Sequence, residues 1–156
     1  MNQLDYKEVE SFINDFENAR LSKKRWTHQA HLIAAYWYIN KLGFYDGLHT
    51  IRERIKRHNE SVGTQNTDTS GYHETLTCLY MAAVSRHAAL YSDLSFDSSL
   101  AILLGSQISD KAWPLSLYSS ECLFSARARR EWVEPDLQSG QFEYLNTVAA
   151  QLMTQP

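Results

Sequence analysis

No proline interrupts the chain before residue 114. Proline removes a backbone donor and clashes with the preceding helical turn, so its absence leaves long helices open. Over the same stretch apolar residues recur every three or four positions, the helical period, rather than every second one. Tyr6, Val9, Ile13 and Phe16 predict a first amphipathic helix. Thr27 is a good N-cap, and Leu32, Ala35, Tyr36 and Ile39 carry a second helix to a stop at Gly43. Leu48, Ile51 and Ile55 line the inner face of a third, about Tyr45 to Asn59. After a polar stretch from Ser61 to Ser70, Leu76, Tyr80, Val84 and Leu90 mark a fourth helix. Asp97 is expected to cap a short fifth, Ser98–Leu104, ended by Gly105. Pro114 fits the first turn of a sixth, through Leu117, Cys122 and Phe124, stopped before Pro135. Phe142, Leu145, Val148 and Leu152 predict a last one. The expectation is an all-α fold: a single helical domain over 1–156, a bundle of six or seven helices.

Charge and cysteine content narrow the function classes. The formal net charge is −3, whereas a dedicated nucleic-acid-binding domain is usually basic. A nucleic-acid partner is therefore not expected. Two cysteines are too few for a disulfide framework. The first residues lack the basic and apolar regions of a secretory signal, and no apolar run approaches a membrane span. The expected location is cytoplasmic, with no membrane partner. Twelve per cent aromatic residues and six histidines are the unusual entries in the composition.

Two short segments concentrate chemistry. In Trp26-Thr-His28-Gln-Ala-His31-Leu32, the histidines are three apart and share a helix face. In Gly71-Tyr-His73-Glu74-Thr-Leu-Thr77, a histidine and a carboxylate open another helix. If the second, third and fourth helices run up, down and up, the second and fourth are parallel. His28, His31, His73 and Glu74 then lie at one end of the bundle, beneath the polar loop.

Three neutral imidazoles suit a divalent ion of zinc, nickel, iron or manganese. With water in the open position they would form a catalytic type of site. The expected metal ligands are His28, His31 and His73, with Glu74 as general base or fourth ligand. The segment is not the zincin His-Glu-x-x-His motif, because Thr77 occupies the second histidine's place. Trp26, Asn66, Asp68, Tyr72 and Thr77 are the expected substrate contacts. His49, His58 and His87 are assigned to background. Arg52, Arg54, Lys56 and Arg57 read as a solvated face.

The two segments resemble a family of small bacterial proteins of unassigned function. Its members look alike in an aromatic-Thr/Ser-His-x-x-His-Leu motif and a Tyr-His-Glu-Thr-Leu/Ile-Thr motif, each opening a helix. The resemblance covers the first 90 residues better than the rest. It implies that the two motifs belong together, and it supplies no reaction.

Two readings follow. One is a metal-dependent enzyme, hydrolytic or oxidative, acting on a small molecule. The other is a non-enzymatic small-molecule-binding or interaction protein, whose histidines and Glu74 form a buried polar network. Oligomeric state is open in both.

Overall fold

The structure, a computed structural model, describes residues 4–137. The chain is all-α: 68% helical, with six helices and no strand among the described residues. In order these are α1 (Tyr6–Glu17), α2 (His28–Ser61), α3 (Glu74–Leu90), α4 (Phe96–Leu104), α5 (Ser120–Leu123) and α6 (Ala126–Arg130). Short 3-10 turns lie at Lys23–Arg25, Gln107–Ser109 and Trp113–Ser116. The last predicted helix, on Phe142 to Leu152, lies outside the described residues.

Local chemistry explains most boundaries. Asp5 and Glu8 form a capping box at α1, whose Val9, Ile13 and Phe16 are buried. The Thr27 hydroxyl accepts from the Ala30 amide at 3.1 Å and starts α2. Trp26, just before that cap, packs on His31 with ring centroids 3.9 Å apart, as a staple pair should.

Gly43, at φ 79 and ψ −177, is the non-helical point inside α2. There the chain doubles back into two arms. A Cβ on Gly47 would lie 3.0 Å from the Tyr38 carbonyl oxygen, a contact that an unbroken helix would put more than ~10 Å apart. The first arm is the centre of the molecule, with every residue from Leu32 to Ile39 buried. A helix that is apolar all round must be enclosed, and α1, the second arm, α3 and α4 enclose it.

Two expected boundaries differ. Ser95, not Asp97, caps α4 through the Ser98 amide at 3.1 Å. The expected sixth helix is broken into the turn at Pro114 and the short helices α5 and α6. Ser119 and Ser125 cause the break: both are extended, and their hydroxyls cap Cys122 and Ala128.

Candidate functional site

The hairpin in α2 and the return through α3 bring three helix ends together. The start of the first arm, the end of the second and the start of α3 surround a cavity of about 610 Å³. Ala35, Ile51, Ile55, Leu76 and Met81 form an apolar wall. Trp26, His28, His31, His58, Tyr72, His73, Thr77 and Tyr80 add aromatic and polar groups. Lys23, Lys111, Leu115 and Phe124 also line it and are exposed, so they form the mouth.

The structure thus gathers His28, His31 and His73 at one cavity, but their nitrogens are not equally free. His73 is the N-cap of α3. Its Nδ1 accepts from the Leu76 amide at 3.1 Å, and its Nε2 donates to the Leu123 carbonyl at 2.7 Å. Both ring nitrogens of His73, an expected metal ligand, are engaged in hydrogen bonds here. His31 Nδ1 donates to the Thr27 carbonyl at 2.7 Å, which makes Nε2 the acceptor nitrogen of the neutral ring. His28 Nε2 lies 3.4 Å from the Ile108 carbonyl. Among the described residues, no group of three or more His, Cys, Asp and Glu side chains is arranged to hold a metal ion.

Glu74 also departs from expectation. It faces away from the cavity, where Arg52 Nε and Nη2 donate to its two oxygens at 2.9 and 2.8 Å. The Tyr72 hydroxyl adds a third bond at 2.5 Å. Burial disfavours the charge, yet the Arg52 guanidinium and Tyr72 hydroxyl outweigh it and hold the carboxyl below its usual value. A carboxylate so stabilised and so occupied is a poor general base. Arg52, expected on a solvated face, is its half-buried partner.

Asn66 and Asp68 are likewise absent from the cavity wall. Asn66 staples the loop: its Oδ1 accepts from the Tyr72 amide and Asn59 Nδ2, both at 2.9 Å. Asp68 pairs with Arg130 at 3.1 Å on the surface. Trp26, Tyr72 and Thr77 do line the cavity. The Thr77 hydroxyl is engaged with the His73 carbonyl at 2.9 Å.

His58 is the residue that sequence reasoning missed. It is 1% exposed and lines the cavity, and among the described residues neither ring nitrogen has a hydrogen-bonding partner. Phe16 and Trp26 pack on its ring, with centroids 5.8 and 5.2 Å away. Its place was readable: Ile51, Ile55 and His58 follow helical spacing on one inward stripe. Burial lowers the pKa of both His58 and His31. For His31 it reaches about 4, since burial and the neighbouring imidazoles of His28 and His58 outweigh the Thr27 carbonyl. Both rings are neutral at physiological pH, so His58 offers one donor and one acceptor.

The site is therefore a mostly apolar chamber with the neutral imidazoles of His31 and His58 in its wall and lysines at its mouth. No family model, curated protein or solved structure matches the chain. The functional reading accordingly rests on this geometry. No helix among the described residues is long and apolar enough to cross a membrane.

Proposed function

We propose that this chain binds a small, predominantly apolar molecule carrying one hydroxyl-like group, with that group against His58 and the acceptor Nε2 of His31. One observation carries the reading: a buried imidazole with two unpartnered nitrogens in a cavity wall. Such a group costs about 1–3 kcal/mol of desolvation, which a ligand hydroxyl would recover. A volume of about 610 Å³ falls in the ordinary range for small-molecule sites. This is the binding-protein reading of the sequence. The metal-dependent enzyme reading is less well supported, because Glu74 and His73 are committed elsewhere.

Titration of the chain with 1-naphthol and with naphthalene, followed by tryptophan fluorescence and calorimetry, tests the proposal. Trp26 in the wall should report filling. The hydroxylated probe should bind about ten-fold tighter than naphthalene, the worth of one or two hydrogen bonds. His58→Leu should erase that preference while leaving naphthalene bound. Equal affinity of the two probes for the native chain, or no binding of either, would overturn it.

A further inference from the structure

A second concavity, of about 350 Å³, lies between the second arm of α2, the loop after it and α6. Its charged lining is Arg52, Lys56, Arg129 and Arg130 against Asp68 and Glu74. The two carboxylates are already used, by Arg130 at 3.1 Å and by Arg52 at 2.8 Å. Among the described residues, two cations remain without a carboxylate. Lys56 Nζ stands 4.9 Å from the Tyr72 ring centroid, where the aromatic face holds it. Arg129 gives Nη1 to the Gly71 carbonyl at 3.0 Å, and its Nε is buried with no partner among the described residues.

We propose that this groove is a binding site for a dianionic tetrahedral oxyanion, a phosphate or the phosphate group of a small ester. Two surplus positive charges match two negative ones, and a guanidinium with a free N–H suits a phosphate oxygen. The walls are fixed beforehand, which lowers the ordering cost of binding. Asn66 staples the loop, the Arg130–Asp68 pair ties it to α6, and Gly71 at φ +78 makes its turn. The chain as a whole carries a net charge of −3. That favours a compact anion over a polyanion, which needs an extended basic face. The site stands apart from the cavity proposal, sharing with it only the Tyr72 ring.

Calorimetry of the full chain with inorganic phosphate at low ionic strength is the test, with sn-glycerol 3-phosphate as a second arm. Saturable binding should weaken about ten-fold in Lys56→Gln, since one charge-assisted contact is lost. Lys7→Gln removes the same charge from α1 and should leave binding unchanged. Phosphate should also shift the Arg129 Nε–H resonance in a ¹⁵N-correlated spectrum. Tighter binding of the ester assigns the site to an esterified ligand, and tighter binding of inorganic phosphate assigns it to the free ion. No saturable binding of either anion at about 10 mM, or equal losses in the Lys56 and Lys7 variants, would overturn the proposal.

Discussion

Arg52 and Glu74 face each other through two parallel hydrogen bonds of 2.9 and 2.8 Å, joining the second arm of α2 to the first turn of α3. Their side chains are 27% and 15% exposed, so the pair is largely desolvated. Removing one partner of such a pair strands the other charge. Glu74→Gln should therefore cost about 2 kcal/mol at neutral pH, less than for a fully buried pair because water still reaches Arg52. The folded carboxyl titrates below its ordinary 4.5. Its contribution is thus complete above pH 4.5 and disappears as pH falls through the lower folded value. Urea titrations should show native and Glu74→Gln stabilities converging below pH 4.5. A gap that stays constant to pH 3 would contradict the pairing.

The histidines should govern stability at higher pH. His31 is lowered from 6.5 to about 4, first by burial, so the folded state resists a proton that the unfolded chain accepts. Stability is complete above pH 6.5 and declines toward pH 4, at up to about 1.4 kcal/mol per pH unit for each such proton. Between pH 6.5 and 4.5 the Glu74 pair is still intact, so loss in that window belongs to histidine. His31→Phe keeps a ring on Trp26 and removes one titrating group. Its urea midpoint should vary less over the window than that of the native chain. An undiminished slope would show that His31 does not titrate as its burial requires.

Features specified by neighbouring residues were legible in the sequence, and those specified by distant ones were not. Thr27 caps, Gly43 stops a helix, and Phe16 sits on its stripe because each depends on residues within a turn or two. The shared end of the bundle followed from counting helices. The direction of Glu74 is not local information, because it is fixed by Arg52, 22 positions away. The engagement of His73 is invisible locally because its Nε2 partner is a carbonyl 50 positions on, and an imidazole is an unusual N-cap. His58 had a local signal in its spacing from Ile51 and Ile55, but its polar neighbours on α2 masked it. Ser119 and Ser125 show the reverse failure, where apolar periodicity outvoted two good caps.

Two glycines separate backbone strain from crowding. Gly71 at φ +78 and Gly63 at φ +81 both occupy the left-handed region that disfavours a Cβ. A Cβ on Gly63 would meet nothing within 4 Å, whereas on Gly71 it would lie 2.5 Å from the Gln65 carbonyl oxygen and 2.7 Å from Asn66 Oδ1. Gly63→Ala should cost about 1 kcal/mol, the backbone penalty alone. Gly71→Ala should cost about 2–3 kcal/mol, since the loop must also shift off its Asn66 staple. Because Gly71 lines the cavity, the second variant should also weaken naphthol binding. Denaturant unfolding ranks the two, and equal costs would mean that the loop yields freely around residue 71.

His58→Leu sets stability against binding. The imidazole is 1% exposed and its nitrogens are unpartnered among the described residues, so it destabilises the folded state. Leucine keeps the bulk against Phe16 and Trp26 without the unpaired polar atoms. The variant should be more stable by about 1–2 kcal/mol, raising Tm by about 2–4 °C per kcal/mol for a chain of this size. The same change should remove the preference for a hydroxylated ligand. Calorimetric melting with and without 1-naphthol measures both effects: a higher Tm for the free variant and a smaller ligand-induced rise. A variant that melts below the native chain would show that His58 supports the fold through a contact other than those described, and would take away the reason for assigning its nitrogens to a ligand.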